Sequence, residues 1–241
     1  MSKLKIALCL SGEPRSTMAS FPYIYESFLQ NNPDYEVDVY IHSWKGFRAL
    51  DLYNPKSYKL DIWDPNPNFH NFIDNLSLEL KNTDSSLNLK SLRTPNIHPL
   101  KNVYLMFYSI KGCFNLINKK YDYYIRSRLD LYYPQKLYLG NFLGILHHSD
   151  IDLILPLKTF SNGQPTICDQ IAIGTYNGFK VYCDTILNLN NLIKSTNSLS
   201  PEVLLENQLI NNQVKYRHFY FDHYSIKRSN IFSDDLNFKD E

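Results

Sequence analysis

Two arginines and an aspartate stand at alternate positions, Arg126, Arg128 and Asp130, in the segment Tyr123-Tyr-Ile-Arg-Ser-Arg-Leu-Asp-Leu-Tyr132. Alternate side chains of an extended chain share a face, so the two guanidiniums point the same way, and Asp130 joins them if the strand persists that far. An apolar strand ending in such charges cannot bury them alone, so they must pair with one another or meet a ligand. Two guanidiniums suit a diphosphate, and one carboxylate suits a hard divalent cation bridging its phosphates. A salt-bridge cluster closing a sheet end is the structural alternative.

Other segments offer complementary chemistry. In Ser11-Gly12-Glu13-Pro14-Arg15-Ser16, the glycine lets backbone approach a ligand closely and Arg15 is a bidentate phosphate partner. The start of the following helix adds free N–H groups for an anion. Taken alone, this is also what an ordinary turn with a surface arginine looks like. Asp169, in Cys168-Asp169-Gln170, could serve as a general base on a hydroxyl, hold an acceptor, or simply cap a turn. His42-Ser43-Trp44 closes another apolar run and suits either a pocket lining or core packing. Glu202 and Glu206, four apart on one helix face, are alternative carboxylates, though a solvated face explains them as well. His147-His148 reads as a surface loop, and the basic tail around Lys227-Arg228 as a solubilising end.

The elements that must position these residues follow from periodicity. Strands are expected over residues 5–10, 36–42, 58–63, 122–128, 151–155, 170–174 and 215–221. Helices are expected over 16–30, 100–118, 176–189 and 201–211, the last opened by Pro201 where a missing N–H costs nothing. Residues 64–100, rich in Asn, Ser, Asp and Pro, predict loops with a short helix around 72–80. Strands alternating with helices imply an α/β fold with a mostly parallel central sheet flanked by helices, whose ligands bind beyond the carboxyl ends of the strands. The three charged segments all fall at such strand ends. No internal repeat or domain boundary is evident, so residues 1–241 are expected to form one domain.

Composition excludes several classes. The net charge of +1 provides no global field for nucleic acid or an anionic membrane. No apolar run is long enough to span a bilayer, and a cytoplasmic protein is expected. The four cysteines are scattered, without metal-ligand spacing, and read as buried thiols in a reducing compartment. Nineteen tyrosines would suit sugar stacking, but an AT-rich coding composition accounts for them equally well.

Ile6-Ala-Leu-Cys-Leu-Ser-Gly-Glu-Pro-Arg15, Asp38-Val-Tyr-Ile-His-Ser-Trp44, Tyr124-Ile-Arg-Ser-Arg-Leu-Asp130 and Asp169-Gln-Ile-Ala-Ile-Gly174 occur in this order. Together they resemble a group of small GT-A glycosyltransferases of bacteria and of large viruses of algae and amoebae, including the N-terminal domain of a chlorella-virus enzyme that builds capsid glycans. The resemblance covers roughly residues 4–180. It implies a GT-A fold, a nucleoside-diphosphate sugar donor (UDP-linked in the first instance), a glycan or glycoprotein acceptor, and Mn2+ or Mg2+ held at a DxD-type motif. Asp130 matches the metal-binding last aspartate of that motif, while Arg128 replaces its first. Asp169 matches an Asp-Gln position near the acceptor, which implies catalysis or acceptor binding there, and it is the first choice for a catalytic carboxylate. Ser11, Gly12, Arg15, His42, Arg126, Arg128 and Asp130 are the implied donor-binding set. A GT-A-like module that binds nucleotide or glycan without turnover, and a sugar nucleotidyltransferase, are the alternatives; the absence of a Gly-rich triphosphate loop speaks against the latter.

Overall fold

The structure is a computed structural model that describes residues 3–14, 16–47, 49–62, 70–76, 99–134, 136–159, 165–219 and 224–225. A central sheet runs in the order β3-β2-β1-β4-β8-β6-β7, with β9 added on β6. Its strands are β1 (Leu4–Ser11), β2 (Tyr35–Trp44), β3 (Ser57–Asp61), β4 (Tyr123–Arg128), β6 (Leu153–Thr159), β7 (Pro165–Ile167), β8 (Ile171–Gly174) and β9 (Tyr216–Phe219); β5 (Leu131–Tyr132) and β10 (Tyr224–Ser225) form a separate antiparallel pair. Strands β3, β2, β1 and β4 are mutually parallel, and so are β6 and β9. Strand β8 runs antiparallel to both β4 and β6, and β7 runs antiparallel to β6.

The sheet is covered on both faces, which is why β1 reads as an unbroken apolar run. Ile6, Leu8 and Leu10 pack into one layer with Ile24 of α1 (Thr17–Tyr25) and Phe142 of α5 (Leu139–His148). Ala7 and Cys9 face the other layer, built on α4 (Pro99–Phe114), α6 (Tyr176–Cys183), α7 (Leu189–Thr196) and α8 (Pro201–Asn211). A short α2 (Leu50–Tyr53) and helical residues 70–76 (α3) complete the described helices. All four cysteines are free and buried.

The expected fold class is present, with differences of local origin. The helix expected over 16–30 continues beyond α1 as a π-helical turn, Glu26–Gln30. The helix expected over 176–189 breaks into α6, a 3-10 turn (Asp184–Asn188) and α7. At that break Asp184 accepts ion pairs from Lys111 of α4 at 2.6 Å and Lys180 at 2.5 Å, tying α6 to α4. Helix α5 was not expected: Leu139, Phe142, Leu143 and Leu146 are buried at helical spacing, but Gly140 and Gly144 weaken its propensity. His147 and His148 end that helix rather than lying in a loop. Most of the region expected as loops over 64–100, residue 63 and the basic tail lie outside the described residues. No described helix is long and apolar enough to cross a membrane.

Candidate functional site

Parallel pairing sets Cys9 beside Arg126 and Ser11 beside both Arg128 and His42, so β1, β2 and β4 end at one edge of the sheet. Antiparallel β8 begins at the same edge, with Ile171 opposite Ser127. Between the pairs Leu157–Ile167 and Ile154–Ile173, β6 advances three residues while its partner advances six. The three extra residues form a bulge around Asp169-Gln170, as inserted strand residues do when they re-aim a side chain. A cavity of about 380 Å³ lies at this edge. Its walls are Gly12 and Glu13 after β1, Trp44 of β2, Arg126 and Arg128 of β4, Asp169 and Gln170 of the bulge, one face of α4 (Asn102 to Ser109), and Pro201 and Glu202 of α8.

Arg126 is 1% exposed. Its Nε donates to Ser11 Oγ at 3.4 Å, and its Nη1 donates to the main-chain carbonyl of Asp169. Tyr182 Oη donates to that same carbonyl at 2.8 Å. The third corner of the guanidinium, Nη2, is buried without a hydrogen-bond partner among the described residues. A buried cationic donor left unmet is costly.

Arg128 lines the same cavity but spends two donors nearby. Nε meets Asp130 Oδ1 at 2.8 Å and Nη2 meets Asp130 Oδ2 at 2.7 Å. Burial opposes the Arg128 charge, yet this two-pronged pair outweighs it and raises the guanidinium's pKa. Alternation was expected to carry Asp130 onto the arginine face if the strand continued. It does not continue, because Leu129 and Asp130 form a turn whose Leu129 carbonyl accepts from Ser20 Oγ of α1. The chain folds back there, and Asp130, 3% exposed, is not among the residues lining the cavity. With both carboxylate oxygens held by a guanidinium, Asp130 does not fit the expected divalent-cation role. Among the described residues no group of three or more His, Cys, Asp or Glu is arranged to hold a metal.

Gly12 adopts φ +128°, a conformation side chains rarely tolerate, and a Cβ there would meet nothing within 4 Å. Its N–H donates to the His42 carbonyl at 3.2 Å, and its own carbonyl accepts from Ser43 Oγ at 2.9 Å, pinning the loop to β2. Ser11 stays behind this wall and touches the site through Arg126. Arg15 lies outside the described residues.

His42 is placed differently from the expected donor-binding role. It is fully buried, its Nε2 is 3.1 Å from Asp61 Oδ2, and α4 crosses so closely that a Cβ on Gly112 would lie 2.5 Å from the ring. Burial, only partly countered by Asp61, depresses its pKa. The residue of that segment that reaches the cavity is Trp44, stacked at 6.2 Å on Tyr108.

Asp169, 6% exposed, and Glu202, 7% exposed, also line the cavity, and the Asp169 charge helps to raise the pKa of Arg128. Ser200 Oγ donates to Glu202 Oε2 at 2.7 Å and also caps α8 through the Val203 N–H, so the Glu202 carboxylate has a fixed direction. Glu206 instead accepts from Tyr216 Oη at 3.0 Å and does not line the cavity. The α4 wall was missed by sequence reasoning. Its signal was limited to polar Asn102 and Ser109 lying on the same face as apolar Leu105 and Met106.

The fold and cavity define a mixed α/β protein with a mostly parallel central sheet flanked by helices, whose open edge brings arginines and acidic residues to one cavity. No protein-family model matches the chain, and no curated protein matches it. Among solved structures it is similar to mouse xyloside xylosyltransferase 1 in its apo form, with 9% identity over 91% of this chain and 85% of that one. The TM-score of 0.48 is too low to carry an argument about function.

Proposed function

We propose that this chain is a glycosyltransferase that moves a sugar from a nucleoside-diphosphate donor, UDP-linked in the first instance, to a hydroxyl of a glycan or glycoprotein. The observation that carries the reading is the meeting of Arg126, Arg128 and Asp169 in one cavity at the open sheet edge. In transfer, the bond from sugar C1 to the diphosphate breaks and its electron pair passes to the diphosphate. A new bond joins C1 to the acceptor oxygen. Arg126 and Arg128 are suited to stabilise the charge that develops on the leaving group, as preorganised donors do. If the reaction inverts at C1, the acceptor proton passes to the Asp169 carboxylate; if it retains, the proton leaves with the diphosphate and Asp169 holds the acceptor. Trp44 offers an aromatic face and Glu202 a directed carboxylate for sugar hydroxyls.

A thermal-shift screen of UDP, GDP, CDP and TDP, followed by nucleotide-release assays with the sugar donors of the one that binds, tests this. A ligand at about a hundred times its dissociation constant adds about 2.7 kcal/mol of stability. Asp169→Asn is expected to cost orders of magnitude in turnover with little change in donor binding. Equal turnover in that variant would move the proton-accepting role to Glu202, and no binding of any nucleotide would end the glycosyltransferase reading. A module that binds nucleotide without turnover is the second reading, favoured by the engagement of Asp130 with Arg128, and binding without release of nucleotide from any donor would establish it.

A further inference from the structure

We propose that Arg126 and Arg128 take the place of a divalent cation at the donor diphosphate, and that Asp130 positions Arg128 instead of ligating metal. The inference rests on the donor reading above. Two guanidiniums on one strand face line the cavity, and even with Arg128 paired to Asp130 they leave a net positive charge beside it. Arg126 keeps a buried Nη2 without a partner among the described residues, a donor that a phosphate oxygen would complete. Arg128 is held at two points by Asp130, at 2.8 and 2.7 Å, and such a fork fixes the plane of the guanidinium toward the cavity. A metal ion at Asp130 would have to sit against the paired guanidinium, a like charge. Ser20 Oγ, by holding the Leu129 carbonyl, stabilises the turn that makes the pairing possible. The carboxylate is therefore committed by the backbone as well as by the side chain it meets.

The test is calorimetric titration of the full chain with UDP and with inorganic pyrophosphate, in EDTA and again with Mn2+ or Mg2+. Wild-type affinity is expected to be the same within about threefold with and without metal. Arg128→Gln is expected to weaken binding by about tenfold or more under both conditions, the loss of charge-assisted hydrogen bonds. Arg128→Lys, which keeps the charge but not the fork, should recover only part of that affinity. Asp130→Asn is expected to bind more weakly than wild type while remaining indifferent to metal. Binding that tightens about tenfold or more with Mn2+ in wild type, and loses this response in Asp130→Asn, would overturn the inference and leave the donor reading standing. Wild-type affinity in Arg128→Gln would overturn it too. Failure of any nucleoside diphosphate to bind under either condition would overturn both.

Discussion

Arg126 reaches across from β4 to donate through Nη1 to the main-chain carbonyl of Asp169, and both residues line the cavity. The contact joins the two chemically distinct halves of the site, because the same guanidinium that faces the proposed diphosphate also holds the bulge carrying the proposed acceptor carboxylate. Tyr182, from α6, donates to that carbonyl at 2.8 Å and completes the clamp. Arg126 of β4 and Tyr182 of α6 are thus joined at a single buried carbonyl.

Removing the Tyr182 hydroxyl should loosen the bulge without touching substrate. Tyr182→Phe is expected to cost about 1 kcal/mol of stability, the worth of one buried hydrogen bond. It should lower kcat by about tenfold or more with the donor KM nearly unchanged, because Asp169 loses its fixed placement. Steady-state kinetics beside a denaturation curve checks this. A stability loss with kcat unchanged would show that Arg126 alone holds the bulge.

Gly112 is where α4 crosses His42, and the crossing leaves no room for a methyl group. Gly112→Ala gains helix propensity but drives a Cβ to 2.5 Å from a ring already fixed by Asp61, Trp44 and Tyr108. The expected net effect is a loss of about 2 kcal/mol, as for other overpacked cores. In a chain of this size that lowers Tm by about 4–8 °C. Differential scanning calorimetry reads it directly, and an unchanged or raised Tm would mean the helix shifts freely over the sheet.

Buried His42 also makes stability depend on pH in a stated direction. Its folded pKa lies below the ordinary 6.5, so the unfolded chain binds the proton first as pH falls. Stability from this group is therefore intact above 6.5 and declines below it, down to the folded value, with a slope of at most about 1.4 kcal/mol per pH unit. Asp184 acts lower on the scale. Burial works against its charge, but hydrogen bonds and charge from Lys111 and Lys180 depress its pKa below 3.8. That contribution is present above 3.8 and disappears as pH falls through the folded value. Urea denaturation from pH 8 to 3 should show a decline below 6.5 that is absent in His42→Gln, whereas Asp184→Asn should differ from wild type at neutral pH and converge with it in acid.

Much of this architecture could be read from the chain because it depends on local patterning. The apolar run of β1, the alternation in β2 and the stripe of α4 are each determined by a few neighbouring residues and by which faces must leave water. Arg126 was legible for the same reason: a charge in the middle of a buried strand stands out whatever surrounds it. Asp169 was legible as a polar residue at a strand entrance, although its three-residue bulge was not, since a bulge exists only relative to a partner strand.

Sequence alone determined that β1, β2 and β4 are buried strands ending in polar residues, and that Arg126 and Arg128 share a face. Tertiary structure alone decided what those residues meet. Ser20 of α1 captures the Leu129 carbonyl and turns Asp130 back onto Arg128, a contact across 109 residues that no local pattern encodes. Gly112 closes over His42 and withdraws it from the site, while Glu202 is delivered to the cavity by the packing of α8. The physical reason is common to all three. Periodicity fixes which face a side chain takes, but the partner on that face is chosen by segments far away in the chain, and the partner decides whether a charge is spent within the fold or kept for a ligand.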